Sequence, residues 1–228
     1  MANIALILAG GTGSRIGGEI PKQFLPLSNN KEIIIMSIDA FATHKQIDRI
    51  LVVCNKDYLN ILGYLIQTQH YKTPIAVIGG GETRQESSLM GLCKLKKECC
   101  ADDIVLIHDA ARPFVTEQLI SDNIASAQLN SACTTAIPAQ DTLLISDDGN
   151  TALSIPDRSK MYAVQTPQSF RLSVILEAHR NAQEDAVFTD DAGVLLSQGI
   201  PISLVKGDKK NIKITSIEDM NIANSFLL

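Results

Sequence analysis

The chain has 228 residues and a formal net charge of −5, with 45% hydrophobic and 20% charged residues. That length suits one large domain with a substantial core, and no run of about 18 apolar residues is present to span a bilayer. An acidic balance argues against a surface built for the nucleic-acid backbone, so neither a nucleic-acid nor a membrane partner is expected.

Residues 4–9 form a short apolar run that leads straight into glycines. Without a basic leader it reads as a buried strand rather than a signal peptide, which places the protein in the cytoplasm. Further strand-like runs follow at residues 50–54, 75–78, 104–107 and 133–137. Between and after them lie helical stretches at residues 32–43, 57–68, 84–97, 117–129, 172–182, 190–197 and 217–226. Thr83 with Glu86 and Ser216 with Asp219 have the spacing of capping boxes. The strands are apolar on consecutive positions, as parallel strands covered on both faces are. The fold class is therefore α/β, a doubly wound, mostly parallel sheet. One segment breaks the alternation: TLLIS, DDGN and TALSI read as two β runs around an Asp-Gly turn, an arm over about residues 139–162. With no linker or repeat, residues 1–228 read as a single domain carrying that arm. Five cysteines without a CxxC pair read as reduced, mostly buried thiols.

Residues 8–24, LAGGTGSRIGGEIPKQF, follow the first strand, where an open α/β sheet offers backbone N–H groups to a phosphate. The dinucleotide pattern GxGxxG fails: Gly11 and Gly13 fit, but Ile16 holds the third place and Gly17 falls one residue late. The ATPase pattern fails too, because Lys22 lies between Pro21 and Gln23. The loop instead carries two cations, Arg15 and Lys22, suited to a polyphosphate and to charge developing on phosphorus. Residues 79–87, GGGETRQES, put glycines at a strand end and an Arg and a Ser at a helix start. Residues 107–114, IHDAARPF, end another strand with Asp109, which could touch a metal ion, and Arg112. Taken singly, these are also a solvated loop, a turn cap and a surface ion pair; three clusters on three strand ends favour a shared anion site. His44, His70, His108 and His179 lack metal-ligand spacing, no serine sits in GxSxG, and His108 reads as a packed structural residue. Asp190 and Asp191 read as acids at a helix start.

LAGGTGSR with PKQF, GGGETRQES, HDAARPF, PAQDT, DRSKMYAVQTPQSF, FTDDA and NIKIT stand here in the order seen in the 2-C-methyl-D-erythritol 4-phosphate cytidylyltransferases. The resemblance spans residues 4–219 and extends to the related ribitol-5-phosphate cytidylyltransferases. It implies a Rossmann-like fold whose β-arm interlocks two subunits into a homodimer, and transfer of CMP from CTP to a sugar-alcohol phosphate with Mg2+. It implies that Arg15 and Lys22 stabilise the transition state at the α-phosphorus. CTP is then held by Leu8, Ala9, Gly10, Gly11, Thr12 and Gly13, with Gly81, Glu82, Arg84 and Ser87 around the cytosine and ribose and Ala110 beside the nucleotide. The polyol phosphate falls to Asp109, Arg112, Arg158, Thr166, Thr189 and Lys213, with Arg158 reaching across the dimer and Asp109 near the metal.

The chemistry is consistent with what the sequence contains. An attacking phosphate monoester is largely dianionic at neutral pH, so positioning and charge neutralisation suffice without a general base. Mg2+ favours phosphate oxygens, water and one or two carboxylates, and so would arrive with CTP. For the acceptor, LAGG in place of PAAG, with GSR and QTPQSF, leans towards ribitol 5-phosphate. RLSVILEAH after AVQTPQSF, and FTDDA, lean back towards methylerythritol phosphate, the first choice, in isoprenoid precursor synthesis. A dinucleotide-binding oxidoreductase module is an alternative opposed by the irregular third glycine and the two loop cations, and a purely regulatory nucleotide sensor is one opposed by the presence of both Arg15 and Lys22.

Overall fold

Because residues 4–9 of the first strand are all apolar, the sheet it joins must be covered on both sides. The structure, a computed structural model, describes residues 1–11, 20–183 and 186–228. In β1 (Asn3–Ala9), Ala5 and Ile7 enter one buried cluster, with Ile34, Ile38 and Phe41 of α1 (Ile33–Ala42). Ile4 and Leu6 enter the other, with Leu92 of α3 (Arg84–Lys96) and Ile175 of α5 (Leu172–Asn181).

The elements follow the expected alternation. After α1 come β2 (Arg49–Cys54), α2 (Leu59–Thr68), β3 (Ile75–Gly79), α3, β4 (Ile104–Asp109), α4 (Glu117–Asn130) and β5 (Ala132–Pro138). Then follow β6 (Tyr162–Arg171), α5, α6 (Asp191–Leu196), β7 (Ser203–Lys206) and α7 (Ile217–Ser225). The described strands form one sheet in the order β3-β2-β1-β4-β6-β5-β7. The chain builds outward from β1 through β2 to β3, then returns to the other side of β1 with β4. The carboxyl ends of β1 and β4 are thus the switch point where open α/β sheets bind ligands. Both capping boxes form, Thr83 with Glu86 on α3 and Ser216 with Asp219 on α7.

Two strands are additions to the sequence reading. β6 is antiparallel to both β4 and β5, and β7 pairs parallel with β5 at the sheet edge. β6 escapes notice because its buried centre, Gln165 to Ser169, is polar and contains Pro167. The arm also differs from expectation. Its Asp-Gly turn forms, with Asp148 Oδ1 accepting the N–H of Asn150 at 2.8 Å and of Thr151 at 2.7 Å, and Gly149 taking φ +73°. The flanking runs, however, shrink to one antiparallel bridge, Ile145 with Ser154. Leu144 and Ile155 are 60% and 69% exposed, and a two-stranded ribbon with nothing beneath it gains little from pairing.

His108 sits at the end of β4, fully buried, 5.0 Å from the Phe41 ring. Its Nε2 lies 3.0 Å from the Arg112 carbonyl and its Nδ1 3.0 Å from Thr166 Oγ1. It is the packed structural histidine expected. A carbonyl only accepts, so Nε2 carries the proton and Nδ1 accepts from Thr166. Burial pushes the imidazole down to about 4. A histidine kept neutral by the fold contributes stability that is complete above its ordinary value near 6.5 and is lost as pH falls towards 4, worth about 3 kcal/mol. Urea titrations at pH 7 and pH 4 should therefore show the wild type losing about 3 kcal/mol more than His108→Gln. Equal losses would mean that another group carries the acid sensitivity.

Candidate active site

The ends of β1 and β4 and the start of α3 enclose a cleft of about 340 Å³. Backbone at Leu8 to Gly11 forms one wall. The first turn of α3 forms the second, with Gly81, Glu82, Thr83, Arg84 and Ser87, and Asp109, Ala110, Ala111, Lys213 and Thr215 complete the cleft with Lys22 and Gln23.

The glycines of the second wall are there because the helix start is packed so close. A Cβ on Gly80 would come within 2.7 Å of Ser87 Oγ, and one on Gly81 within 2.5 Å of Glu86 Cβ. The Gly81 N–H donates to Ser87 Oγ at 3.2 Å, and the Glu82 N–H to Glu86 Oε2 at 2.8 Å. The wall is therefore a tight backbone strip at a helix N-terminus, a favourable surface for negative charge.

Asp109 is the electrostatic centre. Lys213 Nζ stands 2.9 Å from its Oδ2, Arg112 Nε 3.8 Å from the same oxygen, and Arg84 Nε 3.4 Å from Oδ1. Burial alone would raise the Asp109 pKa, but Arg84, Lys213 and Arg112 overcome it and hold the carboxyl well below the usual range. Behind it, the Asp109 N–H donates to Thr166 Oγ1 at 3.0 Å. The Thr166 hydroxyl thus gives its only proton to His108 and accepts from the Asp109 backbone; it holds the end of β4 in place and has no second proton to offer a ligand. Arg112 likewise braces structure, donating from Nη1 to the Asn211 carbonyl at 2.8 Å.

The structure brings Leu8, Ala9, Gly10, Gly11, Lys22, Gly81, Glu82, Arg84, Ser87, Asp109, Ala110 and Lys213 together around this one cleft, with Arg112 and Thr166 directly behind Asp109. Thr12, Gly13 and Arg15 lie outside the described residues. Two expected residues stand apart: Thr189 is exposed and outside the lining, and Arg158 lies exposed on the arm, its Nη1 on the Gln140 carbonyl at 3.0 Å.

Sequence reasoning passed over Gln23 and the buried contacts of Asp191. Gln23 is buried, and its Nε2 donates to the carbonyls of Ala9 at 2.9 Å and Gly11 at 2.8 Å. This fastens the turn that carries Lys22, residues Lys22–Phe24, to the end of β1. The signal was present as an uncharged, bulky amide beside the cation in PKQF. Both Asp190 and Asp191 stand at the start of α6, as expected, but they play different parts. Asp190 does cap α6, accepting from the Gly193 N–H at 2.8 Å, but Asp191 is fully buried and turned away towards α3 and α5.

Among the described residues, no three His, Cys, Asp or Glu side chains lie close enough together to hold a metal ion by themselves. Asp109 offers a single carboxylate at the cleft, and its Oδ1 meets Arg84 only at a long 3.4 Å. That donor set fits a Mg2+ ion whose other ligands are phosphate oxygens and water, and not a resident metal centre.

The family model for 2-C-methyl-D-erythritol 4-phosphate cytidylyltransferase (IspD) matches residues 3–228. A relative from Desulforamulus reducens bearing that name is 39% identical over 230 residues, covering 100% of this chain and 97% of its own. A ribitol-5-phosphate cytidylyltransferase of Vibrio parahaemolyticus is 37% identical over 228 residues, covering 99% and 95%. The crystal structure of 4-diphosphocytidyl-2C-methyl-D-erythritol synthase from Anaerococcus prevotii superposes with a TM-score of 0.84 at 30% identity, covering 99% of this chain and 96% of that one.

Gln23 gives a direct check on how the cleft is held. Gln23→Met keeps the bulk but leaves two carbonyls without their donor, at a cost of about 1–3 kcal/mol. The thermal midpoint should fall by several degrees; an unchanged midpoint would mean the amide does not hold the turn to β1.

Proposed function

The chain belongs to the 2-C-methyl-D-erythritol 4-phosphate cytidylyltransferase family, and from that membership we propose that it transfers CMP from CTP to methylerythritol phosphate, releasing pyrophosphate. The observation that carries this reading is the cleft itself: bare backbone at two strand ends and a helix start, faced by Lys22, Arg84 and Lys213. Three cations around two strand ends and a helix N-terminus suit a polyphosphate better than a nicotinamide dinucleotide, which sets aside the oxidoreductase alternative.

In this mechanism an oxygen of the acceptor phosphate attacks the α-phosphorus of CTP. One P–O bond forms as the bond to the β-phosphate bridging oxygen breaks, and pyrophosphate leaves with that oxygen. The attacking group is already ionised, so no side chain needs to take a proton. The triphosphate lies along the backbone of Leu8 to Gly11, and Lys22 faces the reacting phosphorus; Arg15 is assigned to the same phosphorus, and Thr12 and Gly13 to CTP binding. Gly81, Glu82, Arg84, Ser87 and Ala110 flank the nucleoside. Lys213 moves its charge between Asp109 and the acceptor phosphate, with Arg112 beside it and Thr189 on the acceptor side. Thr166 serves by fixing Asp109. Mg2+, when bound with CTP, would take Asp109 as its protein ligand and neutralise phosphate charge.

Arg158 serves the cleft of a second copy in this reading, since on its own subunit it sits out on the arm. The exposed Leu144, Ile145, Leu153 and Ile155 would be covered in the resulting homodimer. The protein works in the cytoplasm, a setting consistent with five unpaired cysteines. No helix among the described residues is long and apolar enough to cross a membrane.

Pyrophosphate release with CTP and each acceptor in turn tests the reaction. Methylerythritol phosphate should be the better substrate; faster transfer to ribitol 5-phosphate would move the assignment to the activity named for the Vibrio relative. Lys22→Ala should lower kcat by roughly 10²- to 10³-fold while largely sparing CTP binding, and a drop of only a few-fold would reduce Lys22 to a surface cation. For the arm, sedimentation of the wild type should give twice the chain mass, and Leu144→Asp with Ile155→Asp should give the monomer. A wild-type monomer would refute the arm as a dimer element.

A further inference from the structure

Arg84 does not hang freely over the cleft. It occupies the first position of α3, where Nε reaches Asp109 Oδ1 at 3.4 Å and Nη1 lies 2.7 Å from Asp191 Oδ2. Asp191 is 0% exposed. Its other oxygen accepts from Ser88 Oγ at 2.5 Å, on α3, and meets His179 Nε2 at 3.0 Å, on α5. The Asp191 and Ala192 N–H groups in turn both donate to Gln168 Oε1 at 3.0 Å, which fixes the start of α6 against β6. Burial works against the Asp191 charge, but Arg84, His179 and Ser88 outweigh it and hold the carboxyl below its ordinary range. The same two acids, Asp191 first and then Asp109, keep the partly buried guanidinium charged.

An acid at a helix start normally stays near the surface and accepts from its own helix's N–H groups, as Asp190 does. Asp191 spends its carboxylate on side chains from two other helices, and one of these contacts, the 2.7 Å ion pair, is to a residue that lines the cleft. A buried charge is tolerated only when paired, so its place in the core fixes its partner's place. Arg84 is thereby stretched between a carboxylate that cannot move and one at the cleft.

We propose that Asp191 is a positioning residue for the nucleotide: by anchoring Nη1 it sets the plane and reach of the Arg84 guanidinium at the cleft, acting through Arg84 without touching substrate. The proposal rests on reading the cleft as the CTP site. It also ties the FTDDA segment, which includes Thr189, to the nucleotide wall through one buried charge.

A double-mutant cycle on the full-length protein tests it, with Asp191→Asn, Arg84→Ala and the two combined, reading kcat, the KM for CTP at saturating acceptor, and thermal midpoint. Asp191→Asn keeps the shape but removes the charge; it should raise the KM for CTP roughly tenfold or more, the scale of a lost charge-assisted bond, with a smaller change in kcat. In the Arg84→Ala background the same substitution should leave KM unchanged and raise the midpoint, because it removes a charge that the first mutation stranded. An unchanged KM for Asp191→Asn, or an equal rise in both backgrounds, would overturn the proposal in favour of a purely structural acid. Should Asp191→Asn fail to fold, Ser88→Ala takes its place: it removes the shortest bond to Asp191 while keeping the charge, and should raise the KM for CTP a few-fold only when Arg84 is present. A wild-type KM for Ser88→Ala would equally overturn the idea. A wild type that transfers no CMP from CTP would overturn the reading of the cleft instead, a result separable from any of these.

Discussion

The cleft depends on one carboxylate with too many suitors. Asp109 ends β4 at the switch point of the sheet, and Arg84, Lys213 and Arg112 converge on it from α3, from the strand-free segment before α7 and from its own turn. Without that negative charge, three cations in a narrow space would repel one another and splay. With it, they are held in place before any ligand arrives, and a polyanion entering the cleft meets donors whose orientation is already set. The backbone that carries this carboxylate is braced in turn, from the Asp109 N–H through Thr166 to His108, so that the site rests on β6 as much as on the glycine-rich strand ends.

Much of this was legible in the sequence, and for definite physical reasons. Continuous apolar runs such as residues 4–9 can only be buried on both faces, and both helix-start boxes, Thr83 with Glu86 and Ser216 with Asp219, rest on contacts three residues apart. Local rules therefore found the parallel half of the sheet and the strand-end loops, and the order of motifs found the family. What stayed hidden depends on contacts distant in sequence. Gln23 matters because it reaches back 12 and 14 residues, and Asp191 because it meets a helix 103 residues earlier. Asp190 and Asp191 are neighbours of the same type; only the packing of α6 against α3 and α5 separates a surface cap from a buried anchor.

The arm illustrates a different limit. Its turn is specified locally, by Asp148 and Gly149, and so forms within one subunit. Its flanks carry β-type residues, but strand pairing needs a surface beneath it, and within one subunit Leu144, Ile145, Leu153 and Ile155 have none. The sequence pattern marks residues able to pair as strands, and in this chain their apolar side chains lie uncovered.

β6 passes between β4 and β5 with a core of amides and hydroxyls where its neighbours have aliphatic side chains. Gln168 alone joins Thr134, Asp190 and the first two N–H groups of α6, Ser169 joins Asn123, and Asn123 joins Thr135. Aliphatic packing loosens by degrees, since each contact is weak and replaceable. A buried polar network has less such gradation, because a partner that leaves strands another polar atom inside the fold. The floor behind the cleft should therefore stay rigid as temperature rises and then let go in one step, so that the cleft keeps its full shape nearly up to the point where it has none.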